Sequence, residues 1–219
     1  MNAIRQSLNR RMSQNRGFSV FELLVSIAIF TMLTTAFLIN YNSLNKRIIL
    51  DTLAHQLAQS VRETQVSAMS VRRLAADAGL LYPGYGLHFD IANPSQFIFF
   101  ADSQNVNQHY DPIPTGKSCG DIGVECERVV LFPLGYKIQS LCGEAPSGDS
   151  ITALCGSFDT ATVFDIVFTR PNPDAELTGD LSSVAPFPVP YSEVKIEIAS
   201  PRQDTRVVDV WTTGQISVQ

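Results

Sequence analysis

Residues 18–39 read Phe-Ser-Val-Phe-Glu-Leu-Leu-Val-Ser-Ile-Ala-Ile-Phe-Thr-Met-Leu-Thr-Thr-Ala-Phe-Leu-Ile, and Glu22 is their only charge. Sixteen of these 22 side chains are apolar, and no Gly or Pro interrupts them. As a helix rising about 1.5 Å per residue the run spans about 33 Å, enough for a hydrocarbon core about 30 Å thick. A helix apolar on every face for six turns is rarely the core of a soluble domain. A secretory signal has a shorter apolar stretch, of about 7–15 residues, closed by small residues at a cleavage site. Nothing of that kind closes this run.

Charge divides the chain at the same place. Residues 1–17 carry Arg5, Arg10, Arg11 and Arg16 and no acid, leaving 12 basic and 21 acidic residues in the rest. A basic flank is the end of a membrane helix retained in the cytoplasm, so the C-terminal body is expected outside the inner membrane. An acidic body argues against a nucleic-acid-binding surface, which needs a basic face. Glu22 is out of place in such a helix. A buried acid there costs about 2.5–3.5 kcal/mol on insertion scales, so it either reaches the headgroups or has a partner.

Gly17-Phe18-Ser19-Val20-Phe21-Glu22-Leu23-Leu24-Val25, behind a basic leader, resembles the prepilin processing site of type IV pilins and type II secretion pseudopilins. The resemblance implies cleavage between Gly17 and Phe18 by a membrane prepilin peptidase, followed by N-methylation of Phe18. It also implies that Glu22 sets register between subunits. Phe18 and Glu22 are one turn apart on one helix face, so the carboxylate can meet its own new amine or a neighbour's. That attraction grows as the local dielectric falls. The implied partners are the peptidase, other pilins or pseudopilins, the inner-membrane platform protein and membrane lipid. No cofactor, metal ligand set or catalytic residue is implied, and no nucleic acid.

Beyond Ile39, Leu50, Leu53, Ala54, Leu57, Ala58, Val61 and Ala68 recur at helical spacing, and no proline precedes Pro83. One helix from about 18 to 75 is expected, its second half amphipathic. Strands are expected at 85–90, 97–101, 128–132, 137–141, 163–169, 194–198, 207–211 and 215–218, each rich in Val, Ile or Phe and bounded by turn residues. In 207–211 and 194–198, Asp209 and Lys195 are expected on a wet face. The fold class is therefore α+β: a long N-terminal spine helix packed on an antiparallel β-sheet head. The divisions are a leader (1–17), a membrane-spanning half (18–39), an amphipathic half (40–78) and an extracytoplasmic head (79–219). This layout resembles the H-type minor pseudopilins more than small major subunits.

Cys119, Cys126, Cys142 and Cys155 all fall in the head. Four cysteines allow three pairings, and Cys119–Cys126 with Cys142–Cys155 closes two local loops. Disulfides suit an oxidising exterior, whereas spacings of 7, 16 and 13 lack the close pairs of structural zinc. Other signals are weak. Gly116-Lys117-Ser118 ends like a phosphate loop, but Asp111 stands where the first glycine belongs. His55, His88 and His109 are scattered. The oxygen-rich stretch 102–111 lacks the acidic alternation of a calcium loop. Asp174, Glu176 and Asp180 are read as a second acidic loop.

The best reading is a minor pilin or pseudopilin, not an enzyme. The alternatives are a major fibre-forming pilin, a DNA-uptake pilin, or a membrane-anchored extracytoplasmic enzyme or binding module.

Overall fold

The computed structural model describes residues 18–70, 83–103, 107–133, 135–144, 162–181 and 185–219. Helix α1 runs Val20–Met69. Ser19 caps it: its Oγ accepts from the Glu22 N–H at 3.2 Å, and Ser19-x-x-Glu22 has the spacing of a capping box. By contacts the chain divides into two compact units, Met1–Leu44 and Asn45–Gln219.

In the first unit every residue from 18 to 38 is exposed. The 19 residues Val20–Leu38 are long and apolar enough to cross a membrane. Their hydroxyls do not oppose that. Ser26, Thr31, Thr34 and Thr35 each donate to a carbonyl three or four residues back, at 2.6–2.9 Å. Hydroxyls satisfied inside their own helix need no water.

In the second unit, Leu50, Leu53, Ala54, Leu57, Ala58 and Val61 form the buried stripe read from the sequence. The described helix ends at Met69, and 71–75 of the expected helix lie outside the described residues. Ser70 turns its Oγ back to the Ser67 carbonyl. Arg170 donates Nε to the Ala68 carbonyl at 3.0 Å and an Nη to that of Met69, taking two of the carbonyls a helix end leaves open.

The strands are β1 (Gly84–Asp90), β2 (Gln96–Asp102), β3 (Cys126–Leu131), β4 (Lys137–Glu144), β5 (Val163–Phe168), β6 (Ala175–Leu181), β7 (Ala185–Pro190), β8 (Glu193–Ala199), β9 (Thr205–Trp211) and β10 (Ile216–Val218). They form two antiparallel sheets rather than one, ordered β3-β2-β1-β5-β6-β7 and β10-β9-β8-β4. Tyr85, Leu87 and Phe89 of β1, Ile166 and Phe168 of β5, Ile196 and Ile198 of β8, and Val208 and Val210 of β9 share one buried cluster with the helix stripe. Among the described residues three ion pairs tie the helix to the sheets or their loops: Glu63–Arg128, Asp51–Arg206 and Arg47–Asp204.

Two strands were not expected, β6 and β7. The presumed acidic loop is β6 in part, carrying Glu176 and Asp180. Its single large apolar side chains, Leu177 and Leu181, gave little signal. Pro186, Pro188 and Pro190 in β7 argue against a strand, yet β7 is the sheet edge, where a missing N–H leaves no ladder bond unmade. Asp209 is buried rather than wet, accepting from Gln219 Nε2 at 2.7 Å and Ser217 Oγ at 3.3 Å.

Candidate functional site

The two chemically distinctive regions lie in different units. The first is the helix start. Phe18 and Glu22 are exposed there, and the Glu22 carboxylate makes no hydrogen bond or ion pair among the described residues. Since its neighbouring hydroxyls are satisfied within the helix, Glu22 is the polar side chain of the span left to seek a partner. Gly17 lies outside the described residues.

The second region is the face of the six-stranded sheet turned away from the main core. Cross-strand register places Ile98, His88, Asp165 and Thr178 in one row across β2, β1, β5 and β6. Phe100, Gly86, Val167 and Glu176 form the adjacent row. Period-two alternation puts both rows on the same side. Phe100 and Val167 are fully buried there, outside the main cluster.

The irregular segment 107–113 covers this face, and carboxylates hold it by its backbone. The Gln108 N–H donates to Asp102 Oδ2 at 2.9 Å, Tyr110 N–H to Asp165 Oδ2 at 3.2 Å, and Asp111 N–H to Glu125 Oε2 at 2.8 Å. The Tyr110 ring lies 4.5 Å from His88 and 5.4 Å from Phe100, centroid to centroid. Gly86 makes that stacking possible, because a Cβ there would collide with the Phe100 ring. Gln108 accepts a left-handed φ of 64° to bring its N–H round.

Asp165 is buried, and its Oδ1 meets His88 Nδ1 at 2.7 Å. His109 Nδ1 stands 3.9 Å from the other oxygen and 3.1 Å from Thr178 Oγ1. Burial raises the Asp102 carboxyl above its ordinary range. Burial, and then the Asp102 charge, raises Glu176. Burial and the charges of Glu125 and Asp165 push the Tyr110 phenol up, keeping it neutral.

A cleft of about 830 Å³ opens here, lined by His88, Asp90, Ile98, Tyr110, Asp111 and Ile113 among others. Among the described residues its lining holds no Ser, Thr, Cys, Lys or Arg. Among the described residues no group of three or more His, Cys, Asp or Glu is arranged to hold a metal.

His88 and His109 were set aside in the sequence as scattered. They meet because β1 and β5 pair in register and the 107–113 segment folds back over them. The sequence signal available was the alternation of polar His88 and Asp165 with large apolar neighbours in otherwise buried strands. Of the oxygen-rich stretch, Asp102 ends β2 and accepts the Gln108 N–H, the Asp111 carboxylate accepts from Asn107 Nδ2 at 3.4 Å, and 104–106 lie outside the described residues.

Cys119 and Cys126 form a disulfide with Cα atoms 4.9 Å apart. Cys142 is also disulfide-bonded, while Cys155 lies outside the described residues. The first bridge fixes the residue after Glu125, and so the anchor for Asp111.

Residues 12–38 match the family model described as the prokaryotic N-terminal methylation motif, about an eighth of the chain. The match bears out the resemblance to type IV pilins and pseudopilins read from Gly17 to Val25. No curated protein and no solved structure matches the chain.

Proposed function

From a prepilin-type N-terminus joined to a β-rich head, we propose that this chain is a minor pilin or pseudopilin. Prepilin peptidase cuts it between Gly17 and Phe18, and Phe18 is methylated. Residues 18–39 then hold it in the inner membrane in a single pass, with the leader in the cytoplasm and the head outside. With the platform protein it enters a type II secretion pseudopilus or a type IV pilus. In this reading the chain is a substrate and a building block rather than an enzyme, and it needs no cofactor.

The observation that carries the reading is the methylation motif on a wholly exposed apolar helix start. The continuation of that helix into the buried stripe of a two-sheet head supports it. So does a head with more strands than a small major subunit needs, as in the H-type minor pseudopilins.

Glu22 tests it. In cells holding the peptidase, mass spectrometry should find a mature chain beginning at methylated Phe18. Glu22→Ala and Glu22→Gln should both still be cut, because the scissile bond is unchanged, and both should remain in the membrane. Both should fall in sheared fibres relative to the membrane pool, because attraction to a subunit amine in low dielectric needs the charge. Retention of Met1 would overturn the processing reading. Normal incorporation of both variants would overturn the role of Glu22.

A further inference from the structure

We propose that the cleft beneath the 107–113 segment takes an Arg or Lys side chain presented on an apolar stretch of a partner protein. The inference does not depend on assembly into a fibre, since a chain that never left the membrane would carry the same cleft.

Charge is the first argument. Asp90 and Asp111 line the cleft with the buried Asp165, while Asp102 and Glu125 anchor the segment that covers it. Among the described residues the lining contributes no Lys or Arg. Four basic side chains of this unit are engaged elsewhere: Arg128 with Glu63, Arg206 with Asp51, Lys195 with Glu193, and Arg170 with the end of the helix. Carboxylates of one sign in a cleft with low-dielectric walls focus a field that draws in a cation and repels an anion. A bare metal ion is a poor occupant, since no three ligating groups converge among the described residues.

Shape is the second argument. Ile98 and Val163 form an apolar floor, and Tyr110, Pro112 and Ile113 an apolar wall. Such a mixture suits a cation on a hydrocarbon stem, and the Tyr110 ring offers a face for it. The volume is within the range of ligand clefts.

The third argument is what adjoins the floor. Val129 of β3 stands opposite Ile98 in the same row, and Leu131 stands opposite Gln96. Val129 is 39% and Leu131 69% exposed. The apolar floor therefore continues outward to the sheet edge, a track longer than one side chain. A segment laid along it covers Val129 and Leu131 while its basic residue enters the cleft.

The test uses the full chain in lipid nanodiscs with histidine ring nitrogens labelled. The chain has three histidines, and His55, exposed on the helix, is an internal control. The probes are the capped tripeptides Ile-Arg-Val, Ile-citrulline-Val and Ile-Glu-Val, with maltose as a neutral sugar. The Arg peptide should shift His88 and His109 saturably, leave His55 in place, and bind about tenfold more tightly than the citrulline peptide, the ratio expected of one charge-assisted contact. Raising salt should weaken it. Asp111→Asn should lower affinity about tenfold. Ile113→Lys should do so too while leaving every carboxylate in place, with free-state His88 and His109 resonances unmoved to show an intact fold. Equal binding of the Glu or citrulline peptide, preference for maltose, or absence of saturable shifts would overturn the proposal.

Discussion

Arg170 closes the C-terminal end of α1, and its removal should cost the head a calculable part of its stability. Its guanidinium reaches the carbonyls of Ala68 and Met69, and Gln65 bonds the Pro173 carbonyl at 2.9 Å beside it. Hydrogen bonds from a charged donor contribute about 1.5–3 kcal/mol each. Arg170 is only half-buried, so the lower figure applies to both bonds, giving about 3 kcal/mol for Arg170→Ala. Part of that is the favourable placement of a cation at the negative end of the helix dipole. Arg170→Lys keeps the charge but cannot fork between two carbonyls, so it should lose roughly half as much.

The assay is urea unfolding of the full chain in micelles, followed by its single tryptophan, Trp211 in β9. The midpoint should fall with the slope unchanged. The thermal midpoint should drop by about 6–12 °C, at roughly 2–4 °C per kcal/mol for a chain of this size. Hydrogen exchange should quicken in the last helical turn before it quickens in β8. A loss below about 1 kcal/mol, or one no larger than that of the exposed control Arg202→Ala, would show that the cap is not what secures the helix end.

Gly86→Ala should destabilise by about 1–3 kcal/mol through overpacking against Phe100, and should broaden the His88 resonance because Tyr110 loses its support; a sharp, unshifted resonance would refute that. Asp102 and Glu176 have raised folded pKa values, so they bind more protons folded than unfolded, and their contribution to stability falls as pH rises from their ordinary carboxyl values through the raised ones. Asp102→Asn should therefore gain most relative to the native chain at neutral pH, and the difference should fade on acidification toward 3.8; a pH-independent difference in urea midpoints would count against it. Replacing Cys119 and Cys126 by Ser should cost about 2–3 kcal/mol from a short closed loop and speed exchange of the Asp111 amide, which a native-like exchange rate would contradict.

What the sequence determined by itself was local or periodic. The apolar run, the basic leader and the Gly17-Phe18…Glu22 spacing are read along one strand of chain, and so the membrane helix and the processing motif were legible without coordinates. The stripe from Leu50 to Val61 was legible for the same reason: a 3.6-residue period survives in sequence whatever it packs against. Strands bearing several large apolar side chains, such as Phe97–Phe100 and Val163–Phe168, announced themselves likewise.

The tertiary structure decided whatever depends on partners far apart in the chain. β6 and β7 have little apolar signal and are strands because β5 offers β6 a ladder and β6 in turn offers one to β7. The Ala68 and Met69 carbonyls at the end of the described helix are taken by a guanidinium about a hundred residues later. Asp209, placed on a wet face by alternation, is buried because Ser217 and Gln219 come back to it. His88, His109 and Asp165 are unremarkable in sequence, separated by 77 residues from first to last. They become one charged cluster because strand register is set by the buried apolar rows on the opposite face, and the polar side chains are carried to their places by it.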